Sequence, residues 1–454
     1  MSAFRPRARL LARACATALA LAPLAGCGTV SNMLHLGTDK PPKSKLKGER
    51  IAVLSLSDRL EPAEALKGVG FSIPAAAPLS DWPQAGGDPA HDVENVVAAP
   101  QMKELWRRDI GKPSGVTGHI TASPILADGK LFVMDAGAVV TALDPSSGRE
   151  LWKSSFQPTR GRDREEFGGG LAYADGSLFV SSGYRFVAAM NPADGTVKWR
   201  RNVDVPIHGA PTVANGKLYV VDVEDELLTY NTADGTPGWT FQGLDEPARI
   251  LRAGSPAVSG DSVVTGFASG ELTALSTANG SQQWQTVLSL TSRNNALSEI
   301  RDIAGRPLIY RGDVIAGGHA GVLAAIDLAQ GQARWSLPVT TSTTPWPAGD
   351  VVYAMTQAGQ LVCISRAAGQ VYWIQDLNAG VPRKKRATWT GVVMASDRLI
   401  TASNQGMLRV IDPQTGKTTS VINLKVKRGV SLTPVPVDGR LYVMTDAGEL
   451  IAFG

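Results

Sequence analysis

The stretch Ala142–Trp152, "ALDPSSGRELW", decides the fold, because its pattern returns along the chain. The pattern is a small residue, an aliphatic residue, Asp or another polar residue, a short link, Gly, and Trp four positions after Gly. Ala325–Trp335 repeats it as "AIDLAQGQARW". A degenerate copy, "VIDPQTGKTTS", has Ser420 where Trp is expected. Four further copies end at Trp199, Trp239, Trp284 and Trp373.

The spacing of the copies predicts the architecture. Successive Trp residues of the pattern, with Trp106 included, are 38 to 51 residues apart, which is typical of propeller blades. Within 119–156 the sequence alternates apolar and polar residues in four short runs, and Asp128-Gly129 separates the first two. Asp-Gly between alternating runs is a strong hairpin signal, since both positions tolerate positive φ. Each repeat is therefore predicted to be a four-stranded antiparallel blade.

The two ends of the repeat region predict how the ring closes. The last segment, "TPVPVDGRLYVMTDAGELIAFG", supplies three strands and then stops, whereas "KELWRRDI" at 103–110 is a fourth strand without a blade. Pairing them completes an eighth blade and removes the sheet edges that an open array would expose. We therefore predict an all-β fold, an eight-bladed β-propeller over residues 101–454, closed by an N-terminal strand in the C-terminal blade.

The repeated residues are predicted to have structural roles. Seven of the ten Trp residues occupy one repeat position, and a Trp on each outer strand can wedge against the turn of the neighbouring blade. The Asp and Gly suit a tight turn between the third and fourth strands. The repeats thus indicate an architecture and carry no chemistry of their own.

The N-terminus has the features of a bacterial lipoprotein signal peptide, assigned to residues 1–26. Arginines precede an apolar stretch that ends in "LAGC" at Leu24–Cys27, so we expect cleavage before Cys27 and lipid on that residue. Gly28 follows, which favours the outer membrane. Residues 27–100 are Pro-, Gly- and Lys-rich and are interpreted as a tether and docking segment, with Trp82 expected to dock on the propeller.

The charge of the chain argues against nucleic acid as a partner. The formal net charge of +4 equals the four arginines of residues 1–26, which contain no acidic residue, so the remainder sums to zero. A neutral chain has no general attraction for polyanions.

The tandem repeats resemble the quinoprotein-like propeller superfamily over almost all of residues 101–454. One branch binds pyrroloquinoline quinone in dehydrogenases. The other is the BamB family of lipoproteins, which the lipobox, the eight blades, "DWPQAGGDPAHD" and "RILRAGSPAV" resemble. This resemblance implies a non-enzymatic scaffold without a cofactor, lipid-anchored at the periplasmic face of the outer membrane. The implied partners are the BamA-like insertase, other assembly-complex lipoproteins and unfolded outer-membrane protein clients.

Two alternatives stay open at this point: a quinone-dependent dehydrogenase-like enzyme and a generic periplasmic ligand-binding propeller. The enzyme would need an adjacent Cys pair and a calcium site made of oxygen ligands. The three Cys residues, Cys15, Cys27 and Cys363, are far apart in sequence, and no consistent set of calcium ligands is found on the central strands. The five His residues have no zinc-site spacing, so no metal is expected.

The resemblance also implies a partner-binding patch. It places Leu251 and Arg252 at the start of the fourth blade and Asp302 at the start of the fifth, with Arg249 and Ile303 beside them. Both stretches precede first strands, so we expect them on one rim of adjacent blades. An apolar residue beside an Arg suits the centre of an interface. The alternative is that Arg252 pairs with Asp302 and only holds the two blades in register.

One further motif is the basic run Arg383–Arg386, predicted to lie between the sixth and seventh blades. It is interpreted first as a solvated loop. Contact with anionic lipid or with an acidic partner is the alternative.

Overall fold

Eight four-stranded antiparallel sheets, arranged as the blades of a propeller, make up almost all of the regular structure. The computed structural model describes residues 60–156, 168–244, 254–288, 302–303 and 305–454. Blades one to four are formed by β2 (Ile125–Ala127), β3 (Lys130–Met134), β4 (Val139–Leu143) and β5 (Glu150–Ser155); β6 (Gly169–Ala174), β7 (Ser177–Ser182), β8 (Phe186–Met190) and β9 (Val197–Asn202); β10 (Thr212–Ala214), β11 (Lys217–Val221), β12 (Glu226–Asn231) and β13 (Pro237–Gln242); and β14 (Ala257–Ser259), β15 (Ser262–Gly266), β16 (Glu271–Ser276) and β17 (Gln282–Val287). Blades five to seven are formed by β18 (Leu308–Tyr310), β19 (Asp313–Gly317), β20 (Leu323–Asp327) and β21 (Ala333–Leu337); β22 (Trp346–Ala348), β23 (Val351–Met355), β24 (Gln360–Ser365) and β25 (Val371–Asp376); and β26 (Trp389–Ala395), β27 (Arg398–Ser403), β28 (Met407–Ile411) and β29 (Thr418–Asn423). Blade eight combines β1 (Glu104–Asp109) with β30 (Val435–Val437), β31 (Arg440–Met444) and β32 (Glu449–Phe453).

Helical structure among the described residues is confined to short turns, including the 3-10 turns Glu64–Leu66 and Arg383–Lys385. No helix in this part of the chain has the length and apolar character needed to cross a bilayer. All described residues belong to one compact unit, Ser55–Gly454.

The hairpin turns predicted from Asp-Gly and Asn-Gly are confirmed by the backbone. Asp128 and Gly129, between β2 and β3, have φ of +51° and +64°. Two consecutive positive φ angles define the type I′ turn, which matches the twist of the strands on either side. Equivalent pairs occur at Asp175-Gly176, Asn215-Gly216 and Asp438-Gly439.

The predicted ring closure is also confirmed. β1 pairs antiparallel with β32, from Glu104 opposite Phe453 to Asp109 opposite Glu449. β1 becomes the outermost strand of blade eight, whose sheet order is β1-β32-β31-β30. The strand that precedes all the repeats therefore completes the last of them.

The repeated Trp and Gly residues meet across the seams between blades. A Cβ atom placed on Gly369 of blade six, where φ is +67°, would lie 2.6 Å from the ring of Trp335 in blade five. Only glycine leaves room for the indole and accepts that φ without strain. The Nε1–H of Trp335 also donates to the carbonyl of Arg366 at 2.7 Å. The same pairing joins Trp106 to Gly148, Trp152 to Gly195, Trp199 to Gly235, Trp239 to Gly280, Trp284 to Gly331 and Trp373 to Gly416.

The seam between blades seven and eight explains the degenerate repeat. Ser420 lies on β29, the outer strand of blade seven. Blade eight has no turn between its third and fourth strands, because its fourth strand is β1, which precedes all the repeats in the chain. A Trp at position 420 would find no turn glycine to cover, so the pattern lapses at the one seam where its partner is missing.

A second closure was not predicted from the sequence. Residues 77–99 run once around the end of the ring where first strands turn into second strands, and we call this segment the circuit. Trp82 exchanges backbone hydrogen bonds with Leu126 of blade one at 2.7 and 3.0 Å. Going round the ring, the other contacts are Pro83 to Tyr173, Gln84 to Val213, Pro89 to Val258, Ala90 to Ile309, Glu94 to Trp346, Val96 to Ser396, and Leu79 and Ala99 to Asp438 and Gly439.

The circuit closes on itself. Ala77 N–H donates to Asn95 O at 3.0 Å, and Val97 N–H donates to Ala77 O at 2.9 Å. Trp82 is only 3% exposed and stacks on Trp346, with ring centroids 6.3 Å apart. The segment expected to dock through Trp82 therefore binds all eight blades.

The ring has two unlike faces. The turn face carries the turns from first to second and from third to fourth strands, and the circuit covers its centre. The connector face carries the turns from second to third strands and the links between blades, such as 377–388 and 424–434. Among the predicted functional residues that the structure describes, Asp302, Ile303 and the basic run Arg383–Arg386 lie in links and hence on the connector face.

Candidate partner-binding face

The links into blades four and five approach one another at the centre of the connector face. A Cβ atom on Gly254 would lie 2.7 Å from Gly305 O, so the two backbones are in contact. Gly254 follows Leu251 by three positions, and Gly305 follows Asp302 by three. The two stretches predicted to share a rim are therefore each followed by a glycine, and these two glycines are in contact.

Asp302 and Ile303 connect these two blades. Asp302 is 4% exposed, and its carbonyl accepts the N–H of His319 at 3.0 Å. Ile303 is 1% exposed; its N–H donates to Phe267 O at 3.2 Å, and its side chain covers Gly266. Their side chains thus present little surface in the isolated chain. The other predicted patch residues, Arg249, Leu251 and Arg252, lie outside the described residues, as does the lipid-attachment residue Cys27.

The chain that leads into the predicted patch is fixed by a buried carboxylate. Glu271 in β16 is 3% exposed and accepts hydrogen bonds from Leu244 N–H at 3.0 Å, from Ser269 Oγ at 2.9 Å and from Gln285 Nε2. This anchoring leaves the Leu244 side chain 64% exposed. Leu244 was missed by the sequence analysis, because an isolated apolar residue after a strand has no pattern of its own.

An acidic turn borders Leu244. The turn between β11 and β12 contains Asp222, Glu224 and Asp225, and Glu226 begins β12. Asp225 Oδ1 accepts Ala268 N–H of blade four at 3.1 Å, which ties the turn to its neighbour. Burial raises the pKa of Asp222 to about 6, although the N–H groups of Glu224 and Glu226 donate to it. This side of the connector face therefore offers an exposed Leu beside the exposed Glu224, on a turn that the buried Asp222 and Asp225 hold in place.

The mouth of the central channel opens on the same face. It is an open cavity of about 90 Å³, with His208 and Arg306 as its ionisable groups. Its other lining residues are hydroxyl-bearing, small or apolar: Ala85, Thr121, Ser123, Gly169, Ala210, Gly254, Ser255, Gly305, Ser342, Thr343, Thr344, Thr390, Ser431, Leu432 and Thr433.

The channel lining does not fit the calcium and quinone site of the dehydrogenase alternative. Such a site needs carboxylate and amide oxygens around the cation, and neither group occurs among these lining residues. No group of three or more His, Cys, Asp or Glu suited to a metal occurs in the described part of the chain. The single described cysteine, Cys363, is buried in β24, and burial raises the pKa of its thiol.

Comparison with known proteins adds an independent finding. A family model described as "Outer membrane protein assembly factor BamB" matches residues 92–161 and 136–375. The outer membrane protein assembly factor BamB of Vibrio cholerae is 30% identical over 372 residues, which cover 80% of this chain and 93% of that protein. The protein of the same name from Moranella endobia is 26% identical over 370 residues, 80% of this chain and 92% of that one.

Solved structures share the fold without separating the two branches. BamB from Moraxella catarrhalis superposes with a TM-score of 0.66 at 16% identity, over 77% of this chain and 98% of that one. Quinohemoprotein alcohol dehydrogenase from Comamonas testosteroni gives 0.64 at 15% identity, over 83% and 81%. Since an assembly factor and an enzyme match almost equally well, function has to be argued from the sites.

Proposed function

We propose a function from the premise that this chain belongs to the BamB family of outer membrane protein assembly factors. The protein acts as a non-catalytic scaffold of the outer-membrane protein assembly machinery. It binds the periplasmic domains of a BamA-like insertase and raises the local concentration of partners and unfolded clients at the site of insertion. Tethering of this kind works through effective concentration and requires no catalytic group.

The observation that carries the proposal is the convergence at Gly254 and Gly305 of the links into blades four and five. It supports a single patch formed by Leu251 and Arg252 from one link and the Asp302 region from the other. Leu244 extends the patch with an exposed apolar side chain. Interfaces gain most of their affinity from a few anchor residues, among which Arg is enriched, so Arg252 is the residue of this patch best suited to be such an anchor.

Charge reversal in the patch tests the proposal. We expect Arg252→Glu to abolish co-isolation of the insertase from mild-detergent extracts, with thermal unfolding unchanged. Lys153→Glu is the matched control, because Lys153 is an exposed cation on the outer strand β5 of blade one. Normal co-isolation with Arg252→Glu, or loss only together with unfolding, would contradict the assignment.

Site-specific photo-crosslinking maps the same surface without altering charge. A photoreactive residue at position 244 is expected to crosslink to the insertase. Position 421 on β29 is the control, since Val421 is also an exposed apolar residue, 51% exposed, but lies on the outer edge of blade seven. Equal crosslinking at both positions would show that the interface is not centred on blades four and five.

The proposed location is the periplasmic face of the outer membrane, with lipid on Cys27 as the anchor. The motif "LAGC" supports it. Cys27→Ser is expected to leave an uncleaved precursor or to release the chain from membranes by carbonate washing. A variant that stays with the outer membrane as the wild type does would rule out the lipid anchor.

A further inference from the structure

A concentrated positive charge lies on the connector face, away from the predicted partner patch. The links 377–388 and 424–434 contain no acidic residue. Their cations are Arg383, Lys384, Lys385, Arg386, Lys425, Lys427 and Arg428. These links flank blade seven, whereas the predicted patch lies at the entrances to blades four and five.

One turn of blade seven holds the two links side by side. Gln405 Nε2 donates to Lys385 O at 3.0 Å, and Asn404 N–H donates to Thr388 O at 3.0 Å. On its other side, the same turn receives Leu424 N–H on Gly406 O and Val430 N–H on Ser403 O, both at 2.9 Å. The seven cations therefore form one continuous surface on a fixed backbone, which we call the basic face.

The charges of the basic face are directed to solvent. All four side chains of Arg383–Arg386 are exposed, and so are Lys425 and Lys427. No carboxylate forms an ion pair with any of these six among the described residues. Two of the seven cations also form local hydrogen bonds: Arg428 donates to Ser114 O, and Arg386 Nε donates to Val381 O at 3.2 Å. Glu104 lies close enough to Lys425 for the two charges to attract one another, so the run Arg383–Arg386 is the part of the basic face that lacks a counter-charge. Like charges held together in this way are stabilised by an anionic partner.

The composition of the basic face favours a membrane over a protein. Protein interfaces centre on buried aromatic and apolar anchors and are depleted in Lys. Here the apolar residues of the links, such as Val426 and Leu432, pack inward against the core. Clusters of four to eight Lys and Arg without apolar anchors are the composition that binds anionic lipid surfaces.

The N-terminal segment reaches the ring on blade six, whose outer strand β25 leads into the basic run. Ala63 N–H donates to Val371 O at 2.8 Å, and Phe71 contacts Tyr372 with ring centroids 4.6 Å apart. Both partners lie on β25, and the chain runs from the other end of β25 into the basic run. The segment that follows the predicted lipid-attachment site and the basic face are thus joined by one outer strand.

We propose that the basic face is a membrane-contact surface that binds the anionic headgroups of a phospholipid bilayer. It provides a second attachment beside the tether and sets the orientation of the ring. Blades six and seven then lie toward the bilayer, which leaves the links into blades four and five accessible to a protein partner. A lipid anchor and a basic surface together give stable membrane binding that neither gives alone.

Vesicle binding by the chain from residue 28 onward tests the proposal, because this chain keeps the compact unit Ser55–Gly454 and lacks Cys27. We expect it to sediment with vesicles of phosphatidylglycerol mixed into phosphatidylcholine, to stay in solution with phosphatidylcholine alone, and to be released by salt. Replacing Arg383, Lys384, Lys385 and Arg386 together by Ser should weaken binding at least ~10-fold.

The control replaces four other exposed cations by Ser, namely Lys103, Arg149, Lys153 and Lys417, and has the same net charge. It should bind as the wild type does. Equal loss in both variants would mean a general charge effect and would overturn the proposal. Binding to soluble polyglutamate without binding to anionic vesicles would overturn it in favour of an acidic protein partner. The outcome is independent of the insertase contact, which is tested by Arg252→Glu.

Discussion

The turn face and the connector face are built from the same eight blades but differ in what their segments bind. On the turn face, residues 77–99 form hydrogen bonds with the ring itself and bury Trp82. On the connector face, the links differ from blade to blade and leave Leu244 and the cations of the basic face exposed. The difference indicates that one face stabilises the propeller while the other is free to bind partners.

The largest effect is expected from removing the turn-face circuit. A chain that starts at Gln101 keeps β1 and every blade but loses Trp82 and at least one contact to each blade. Loss of one buried Trp alone typically costs about 3–5 kcal/mol, so we expect a loss of more than ~5 kcal/mol in unfolding free energy, or failure to fold. Urea unfolding measures it.

A chain that starts at Leu60 is the control for this deletion, since it keeps the whole described segment. It should unfold at the same urea concentration as the full chain. Equal stability of the two shortened chains would break the comparison, because the circuit would then be no more than a passive covering.

A single seam is expected to contribute less than the circuit. Trp335→Ala removes the indole that covers Gly369 and the hydrogen bond to Arg366 O, and should lower the unfolding free energy by about 3–5 kcal/mol. Ser420→Ala, at the same repeat position on β29, should change it by less than about 0.5 kcal/mol. Similar losses in both variants would show that the seams do not depend on the Trp and Gly pairing.

The circuit should also make stability depend on pH through His91. His91 is buried, and its Nδ1–H donates to Pro307 O at 2.7 Å. Burial together with the positive charge of Arg306 lowers the pKa of His91 from 6.5 to about 4. In the unfolded chain His91 is protonated below about pH 6.5, whereas in the folded chain it stays neutral until about pH 4. The wild type therefore loses stability as the pH falls through this range, by up to about 3 kcal/mol.

Comparison with His91→Gln isolates this effect, measured as unfolding free energies at about pH 7.5 and about pH 4.5. Burial raises the pKa of Asp92 to about 7 and that of Asp222 to about 6, which works in the opposite direction. Both carboxyls are present in both proteins, so their effect should largely cancel in the difference. A difference that does not change with pH would contradict a neutral, buried His91.

The smallest effect on stability is expected on the connector face. Lys384→Ser removes an exposed cation of the 3-10 turn Arg383–Lys385 and should change the unfolding free energy by less than about 0.5 kcal/mol. Thermal unfolding checks this. A loss comparable with that of Trp335→Ala would show that the basic face stabilises the fold, and the functional contrast between the two faces would fail.

The sequence predicted the blades and the ring closure, which follow from the repeats. It did not predict the circuit, which occurs only once. The Gly-to-Trp spacing and the Asp-Gly turns were sufficient for the blades, and the orphan strand around Trp106 was sufficient for the ring closure. The circuit was missed because it is not a strand. It gives each blade one or two hydrogen bonds, so residues such as Gln84 and Glu94 follow no period.

The candidate site was accessible to sequence reasoning only in part. The family resemblance predicts Leu251 and Asp302 at the starts of two blades, and the structure brings the two links together at Gly254 and Gly305. Burial could not be predicted in this way: Ile303 covers Gly266 because the link turns inward. The basic run was visible in the sequence. Its proximity to Lys425 and Lys427 was not, because it depends on the turn Ser403–Gly406, which forms hydrogen bonds with both links.

The pairing of β1 with β32 has a consequence for how the molecule is made. Glu104 meets Phe453, so the ring cannot close until both β1 and β32 have been synthesised. Contacts between such distant positions are formed late and slowly. Until then the growing chain carries unpaired sheet edges, which invite aggregation. Closure of a ring with this topology therefore waits for β32, the strand that β1 pairs with.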